Sequence, residues 1–95
     1  MKDLQQLRES LDNIDAALVC LLAERFKLTQ EVGLYKKEHR LPPVDAQREQ
    51  TQFERISQMA EKAGLDPEFA RKFLRLTIDE VVKNHKALQG ITAEA

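Results

Sequence analysis

The stretch Leu4–Tyr35, LQQLRESLDNIDAALVCLLAERFKLTQEVGLY, decides the fold of this chain. Its apolar side chains recur in alternating steps of three and four residues, with one position skipped: Leu4, Leu7, Leu11, Ile14, Leu18, Leu21, Leu28, Val32 and Tyr35. This spacing predicts an α-helix with one apolar stripe. Arg25 occupies the skipped position. A guanidinium on such a stripe either extends to water or is held for an anionic partner.

Two further helices follow, and the predicted fold class is all-α. The first helix should run from Asp3, its cap, to Glu38, because Pro42 and Pro43 stop any helix there. A second helix should begin at the capping residue Asp45 and stop at Gly64. A third should begin at Asp66-Pro67-Glu68 and end near Gly90. No window alternates with the period of two that is typical of a strand, and the tail 91–95 is predicted to fray.

The length of the first helix predicts an oligomer. A helix of this length is a rod of roughly 50 Å, whereas a compact chain of 95 residues has a radius of gyration of about 12 Å. The rod therefore overhangs a single domain spanning residues 1–95, and its apolar stripe needs a cover. We expect an intertwined homodimer whose long helices pack against each other.

Composition narrows the classes of function. The chain is 42% hydrophobic and 33% charged with a net charge of −1, which is typical of a soluble globular domain and does not indicate nucleic-acid or membrane binding. No signal peptide or membrane span is evident. The single Cys20 is expected in the core, and the cytoplasm is the expected compartment. The sequence holds no dinucleotide, P-loop or metal motif, so neither a metal nor a cofactor is predicted.

Cations on the first helix are candidate binding residues. Arg25 and Lys36 are 11 residues apart in the sequence. On a helix this places them within about 20° of each other around the axis and roughly 16 Å apart along it. Their long side chains could converge on a small dianion. Arg8 lies roughly 25 Å from Arg25 and cannot easily join that site, but the partner's Arg8 could do so in an antiparallel dimer. Alternatively, Arg8, Lys36 and Arg48 are solvated surface cations.

Three further features have both a structural and a functional interpretation. His85 interrupts the apolar face of the third helix and is either a hydrogen-bonded core residue or a ligand-binding group. Asp45, Arg48 and Glu49 crowd the start of the second helix, where they are either capping and surface charges or part of a site. Gly33 weakens the first helix by about 1 kcal/mol relative to alanine. A close approach of another helix or a ligand would explain it, but a tolerated glycine is an equal alternative.

The ordered set of these residues resembles the all-α chorismate mutases, a family of small intertwined dimers in bacterial aromatic biosynthesis. The similarity covers about residues 4 to 89. It rests on four elements in order: Leu7-Arg8-x3-Asp12-x2-Asp15, Leu21-Leu22-Ala23-Glu24-Arg25, Glu31-Val32-Gly33-x2-Lys36 and Pro43-Val44-x3-Arg48-Glu49.

The resemblance implies the conversion of chorismate to prephenate, a unimolecular pericyclic rearrangement that needs no cofactor. Arg25 and the partner's Arg8 would bind the two carboxylates, each by bidentate pairing. Lys36 would donate to the ether oxygen, which gains negative charge in the transition state. The remaining implied roles concern positioning: Arg48 at the ether end of the substrate, and Asp45 and Glu49 at the ring hydroxyl, with Glu49 also contacting Lys36.

Two positions depart from the commoner family pattern. His85 stands where many members have a glutamine that donates to the ether oxygen. Neutral imidazole donates one hydrogen bond and imidazolium adds charge, so activity is expected to rise as pH falls. Val81 stands where a serine commonly helps to bind the ring carboxylate, and the missing hydroxyl is expected to weaken substrate binding unless another group compensates.

Two other functions are alternatives. An isochorismate-pyruvate lyase uses the same fold and a similar cationic pocket, although Asp45-x2-Arg48-Glu49 favours the mutase. A non-enzymatic helical dimerisation or regulatory module would carry the same cations as surface charges. The resemblance also allows for activation by a partner such as the first enzyme of the shikimate pathway.

Overall fold

The computed structural model describes residues 1–90, which form three α-helices and contain no strand. They are α1, Leu4–Glu38; α2, Ala46–Ala63; and α3, Pro67–Leu88. The predicted all-α class and the three helices are confirmed. The predicted frayed tail, residues 91–95, lies outside the described residues.

Side-chain caps define the start of each helix. Asp3 and Gln6 form a capping box on α1, each side chain bonding the other's backbone N–H at 2.8 and 3.0 Å. Asp45 caps α2 and Asp66 caps α3, as predicted. Gly64 ends α2 with φ 76°, a left-handed conformation that glycine adopts without steric cost.

The end of α1 repeats the hydrogen-bond pattern of the end of α2, but an arginine occupies the left-handed position that Gly64 occupies there. The backbone N–H of Leu41 bonds the Lys36 carbonyl at 2.8 Å, and that of Arg40 bonds the Lys37 carbonyl at 3.3 Å. This arrangement requires the left-handed region, and Arg40 adopts it with φ 56°. A side chain with a Cβ is strained there by roughly 1–2 kcal/mol.

Helix α3 is the centre of the fold and packs against both α1 and α2, which do not pack directly on each other within residues 1–90. The buried apolar residues are Ala60, Ala70, Leu74 and Ile78, mostly from α3. The radius of gyration is 16.8 Å and the extents are 56 × 24 × 24 Å. The chain is therefore elongated, as the length of α1 predicted.

Most of α1 is uncovered in the single chain. Its only buried residue is Gly33, and the apolar side chains on its predicted stripe are 43–68% exposed. Cys20 is exposed too, so its predicted burial is wrong for the single chain, because α3 packs only against the C-terminal part of α1. Among the helices described, none is both long and apolar enough to cross a membrane.

Candidate active site

A cleft of about 250 Å³ lies between α1, the start of α2 and α3. Helix α1 forms one wall, the α1–α2 loop and the start of α2 form the second, and the C-terminal half of α3 forms the third. The lining residues are Arg25, Leu28, Thr29, Val32, Lys36, Pro43, Asp45, Arg48, Glu49, Gln52, Ile78, Val81, Val82 and His85.

The cleft brings together all but one of the candidate residues. Those that line it are Arg25, Lys36, Asp45, Arg48, Glu49, Val81 and His85. Arg8 is exposed on the N-terminal half of α1 and does not line the cleft of its own chain. This agrees with the expectation that Arg8 cannot reach Arg25 within one chain.

Arg25 is half-buried, and its guanidinium makes no hydrogen bond or ion pair with the described residues. Its Nη1 atom is fully buried and has no hydrogen-bond partner among the described residues. A buried donor without a partner costs about 1–3 kcal/mol. Of the two interpretations of this arginine, extension to water and binding of an anion, the burial of Nη1 favours the second.

Lys36 is held at the opposite end of the cleft. Its Nζ donates to the carbonyl oxygen of Pro43 at 3.2 Å, which fixes the ammonium between α1 and the α1–α2 loop. An ammonium has three N–H groups, so two remain for a ligand. The loop itself is tied to α3, because Gln89 Nε2 donates to the Leu41 carbonyl at 2.9 Å.

The charged residues of α2 are partly engaged in the fold. One oxygen of Asp45 accepts from the Arg48 backbone N–H at 3.0 Å, so this carboxylate is a helix cap as well as a cleft residue. Glu49 does not contact Lys36 as the resemblance implied. Its Oε1 instead accepts from Arg75 Nη2 of α3 at 2.7 Å. The physical reason is the packing of α2 against α3, which brings Arg75 to the outer side of the Glu49 carboxylate.

His85 is buried against a gap in α1. It is 3% exposed, and its Nε2 donates to the carbonyl oxygen of Thr29 at 2.8 Å. Gly33 creates the gap: a Cβ there would lie 2.6 Å from His85 Cδ2 and 2.8 Å from Leu88 Cδ1. The close approach of another helix therefore explains this glycine.

The hydrogen bond to Thr29 determines what the imidazole of His85 can do. A carbonyl oxygen only accepts, so Nε2 must carry a proton, and in the neutral ring Nδ1 is then an acceptor. Nδ1 is buried and has no partner among the described residues. The neutral imidazole therefore has no N–H left for a ligand, which corrects the expectation that it could donate to an ether oxygen. Only the imidazolium presents a second N–H.

The charges of the cleft suit an anion. Arg25, Lys36 and Arg48 contribute three cations, and Asp45 and Glu49 contribute two carboxylates. Glu49 is neutralised from outside by Arg75, whose pKa is raised chiefly by their hydrogen bond, against the lowering effect of burial. The cleft therefore keeps an excess of positive charge.

Three residues of this region were not predicted from the sequence. Gln52 could have been found, because it lies one turn after Arg48 and Glu49 on the same face of α2. Thr29 contributes a backbone carbonyl, which no side-chain pattern indicates. Arg75 acts from outside the cleft, and its role depends on how α2 and α3 pack.

A cationic cleft between the helices of an all-helical domain suits a small anionic ligand. Residues 7–86 match the family model of chorismate mutase type II. The chain belongs to this family.

Three relatives illustrate the similarity. The chain is 33% identical over 84 residues to the T-protein of Haemophilus influenzae, covering 88% of this chain and 22% of that protein. It is 34% identical over 82 residues to the bifunctional chorismate mutase/prephenate dehydratase of Escherichia coli K12, covering 86% of this chain and 21% of that protein. It is 28% identical over 89 residues to the chorismate mutase of Methanocaldococcus jannaschii, covering 94% of this chain and 86% of that protein. The chain thus spans about a fifth of the two longer relatives and most of the third.

Proposed function

We propose that this chain is a chorismate mutase that isomerises chorismate to prephenate. Family membership supports the proposal, and the observation that carries it is the buried, unpartnered Nη1 of Arg25 in a cleft with excess positive charge. The substrate carries two carboxylates, so a site for it needs cations in fixed positions. The protein needs no nucleophile, because the rearrangement is unimolecular and forms no covalent bond to the enzyme.

In the proposed mechanism, the cleft holds the substrate in its reactive conformer and stabilises the negative charge that develops on the ether oxygen. Arg25 binds a substrate carboxylate, and Arg48 positions the ether end of the substrate. Lys36, already held by the Pro43 carbonyl, donates to the ether oxygen as negative charge develops there. His85 donates to the same oxygen from Nδ1 when it is imidazolium.

The opposite side of the substrate faces Asp45, Glu49 and Val81, none of which supplies a positive charge. Asp45 and Glu49 face the ring hydroxyl with the carboxylate oxygens that the fold leaves free, and Glu49 accepts its single O–H. Val81 offers only apolar contact at its position, so binding of the ring carboxylate depends on the cations.

We further propose that the active form is a homodimer in which the partner's Arg8 completes the cleft. The exposed apolar stripe of α1 supports this, because a face with side chains 43–68% exposed over most of a 35-residue helix needs a cover. Arg8 lies on that uncovered half. The cytoplasm is the proposed compartment, since the lone Cys20 has no disulfide partner within the chain.

The decisive experiment follows the ultraviolet absorbance of chorismate and identifies the product. Loss of chorismate with formation of prephenate is expected, and Arg25→Ala should reduce kcat/KM at least about 100-fold. Arg55→Ala is the matched control, because Arg55 is an exposed arginine of α2 away from the cleft. Conversion of isochorismate to salicylate would indicate the lyase, and inactivity with both substrates would indicate a regulatory module.

A mixing experiment tests the dimer. Arg8→Ala and Arg25→Ala should each be inactive alone, but a mixed dimer has one site with both arginines. Equal mixing should therefore restore about a quarter of the wild-type activity. No recovery after subunit exchange would contradict a shared site. If a shikimate-pathway enzyme activates the protein, adding it should raise kcat/KM.

A further inference from the structure

Arg75 fixes Glu49 from behind the cleft. Its Nη2 donates to Glu49 Oε1 at 2.7 Å, and its Nη1 donates to Asp79 Oδ1 at 3.2 Å. The guanidinium also lies 4.8 Å from the centre of the Phe53 ring. Two carboxylates and an aromatic face therefore set its orientation, although the side chain is 46% exposed.

We infer that Arg75 is a positioning residue for the proposed reaction: it orients and neutralises Glu49 so that the free oxygen of this carboxylate can accept a hydrogen bond from a hydroxyl of the bound dianion. This inference rests on the proposed function. Arg75 does not line the cleft, so it acts only through Glu49.

The geometry explains why Glu49 needs such a partner. Its side chain is only 17% exposed, and it lines a cleft that has to admit two negative charges. An unpaired carboxylate at this depth would repel the substrate and compete with it for the cleft cations. The bond to Arg75 engages Oε1 and supplies the counter-charge from outside. Oε2 has no hydrogen-bond donor within the described chain and remains available.

A purely structural role is the alternative, since the bond also links α3 to α2. Arg71 provides a matched control, because it lies one turn earlier on α3 and its Nη1 donates to Ser57 Oγ of α2 at 3.0 Å. That link joins the same two helices without touching a cleft residue. If helix–helix linkage were the whole role, Arg71→Ala and Arg75→Ala would have equal effects.

Steady-state kinetics with chorismate test the inference. Arg75→Ala should lower kcat/KM roughly tenfold, mainly through KM, because the hydroxyl that Glu49 binds does not react. A smaller folded fraction would instead lower kcat at constant KM. Arg71→Ala should stay within about twofold of wild type. In a Glu49→Ala background, Arg75→Ala should add less than about a twofold effect, since both changes remove the same interaction.

Two kinetic results would overturn the inference. One is equal kcat/KM in Arg75→Ala and Arg71→Ala. The other is an Arg75→Ala effect that persists undiminished without Glu49.

The proposed function can fail separately, if the wild-type chain converts no chorismate. The Nη2 proton signals of Arg75 in a ¹⁵N-labelled sample then test the pairing with Glu49 without turnover, because Nη1 bonds Asp79 instead. We expect protection from solvent exchange that Glu49→Ala removes and Ser57→Ala leaves intact. Signals that are unprotected in the wild type, or unchanged by Glu49→Ala, would overturn the pairing itself.

Discussion

Gly33→Ala should destabilise the protein, although alanine is the better helix former. A Cβ at this position would lie 2.6 Å from His85 Cδ2 and 3.0 Å from His85 Nε2. Ordinary carbon contacts begin near about 3.5 Å, so the imidazole would have to move by about 0.9 Å away from α1. That movement would break the 2.8 Å bond from Nε2 to the Thr29 carbonyl.

The magnitude follows from three effects. Overpacking of a buried site costs about 1–3 kcal/mol. The lost hydrogen bond costs about 1 kcal/mol more, and the better helix propensity of alanine returns a similar amount. The free energy of unfolding should therefore fall by about 1–3 kcal/mol. Urea unfolding followed by circular dichroism measures it, at one fixed protein concentration because subunit association would add to stability.

A double-mutant cycle with His85→Ala identifies the cause. Removing the imidazole removes two of the three atoms nearest to the new Cβ, and the third is the flexible tip of Leu88, at 2.8 Å. The penalty of Gly33→Ala should then shrink by at least about 1 kcal/mol. A single Gly33→Ala variant that is as stable as the wild type, or an equal penalty in both backgrounds, would refute the reasoning about this helix contact.

Three other measurements test the site and its supports. His85→Gln should raise kcat/KM, because the glutamine amide carries an N–H beyond the one that bonds the Thr29 carbonyl, whereas the neutral imidazole has none; an unchanged kcat/KM would contradict a direct role of His85. Arg25→Met keeps the aliphatic stem and removes the unpaired Nη1, so the free energy of unfolding should rise by about 1 kcal/mol while activity is lost. A fall in the free energy of unfolding would show that Nη1 has a partner. Arg40→Gly should raise the free energy of unfolding by about 1 kcal/mol, and with it Tm, because glycine adopts the left-handed conformation at φ 56° without strain. An unchanged Tm would argue against that strain.

The sequence determined the helices and most of the cleft. Caps and breakers are local, since Asp3, Asp45, Asp66 and Gly64 act on backbone groups within a few residues, so the ends of the helices follow from short stretches. The period of 3.6 residues fixes which side chains share a face. Arg25 and Lys36 could therefore be placed together on α1, and both line the cleft.

Only the tertiary structure decided contacts between helices. The pairing of Glu49 with Arg75 instead of Lys36 depends on the register of α2 against α3, which no spacing within one helix encodes. The proton on His85 Nε2 is fixed by a backbone carbonyl of α1, and the meaning of Gly33 appears only when that imidazole lies against it. The exposure of Cys20 has the same origin, because burial depends on which elements cover a helix and not on the residue's own apolar neighbours. Sequence periodicity fixes the face of a helix on which a residue lies, but its neighbours depend on the angle and register at which the helices pack.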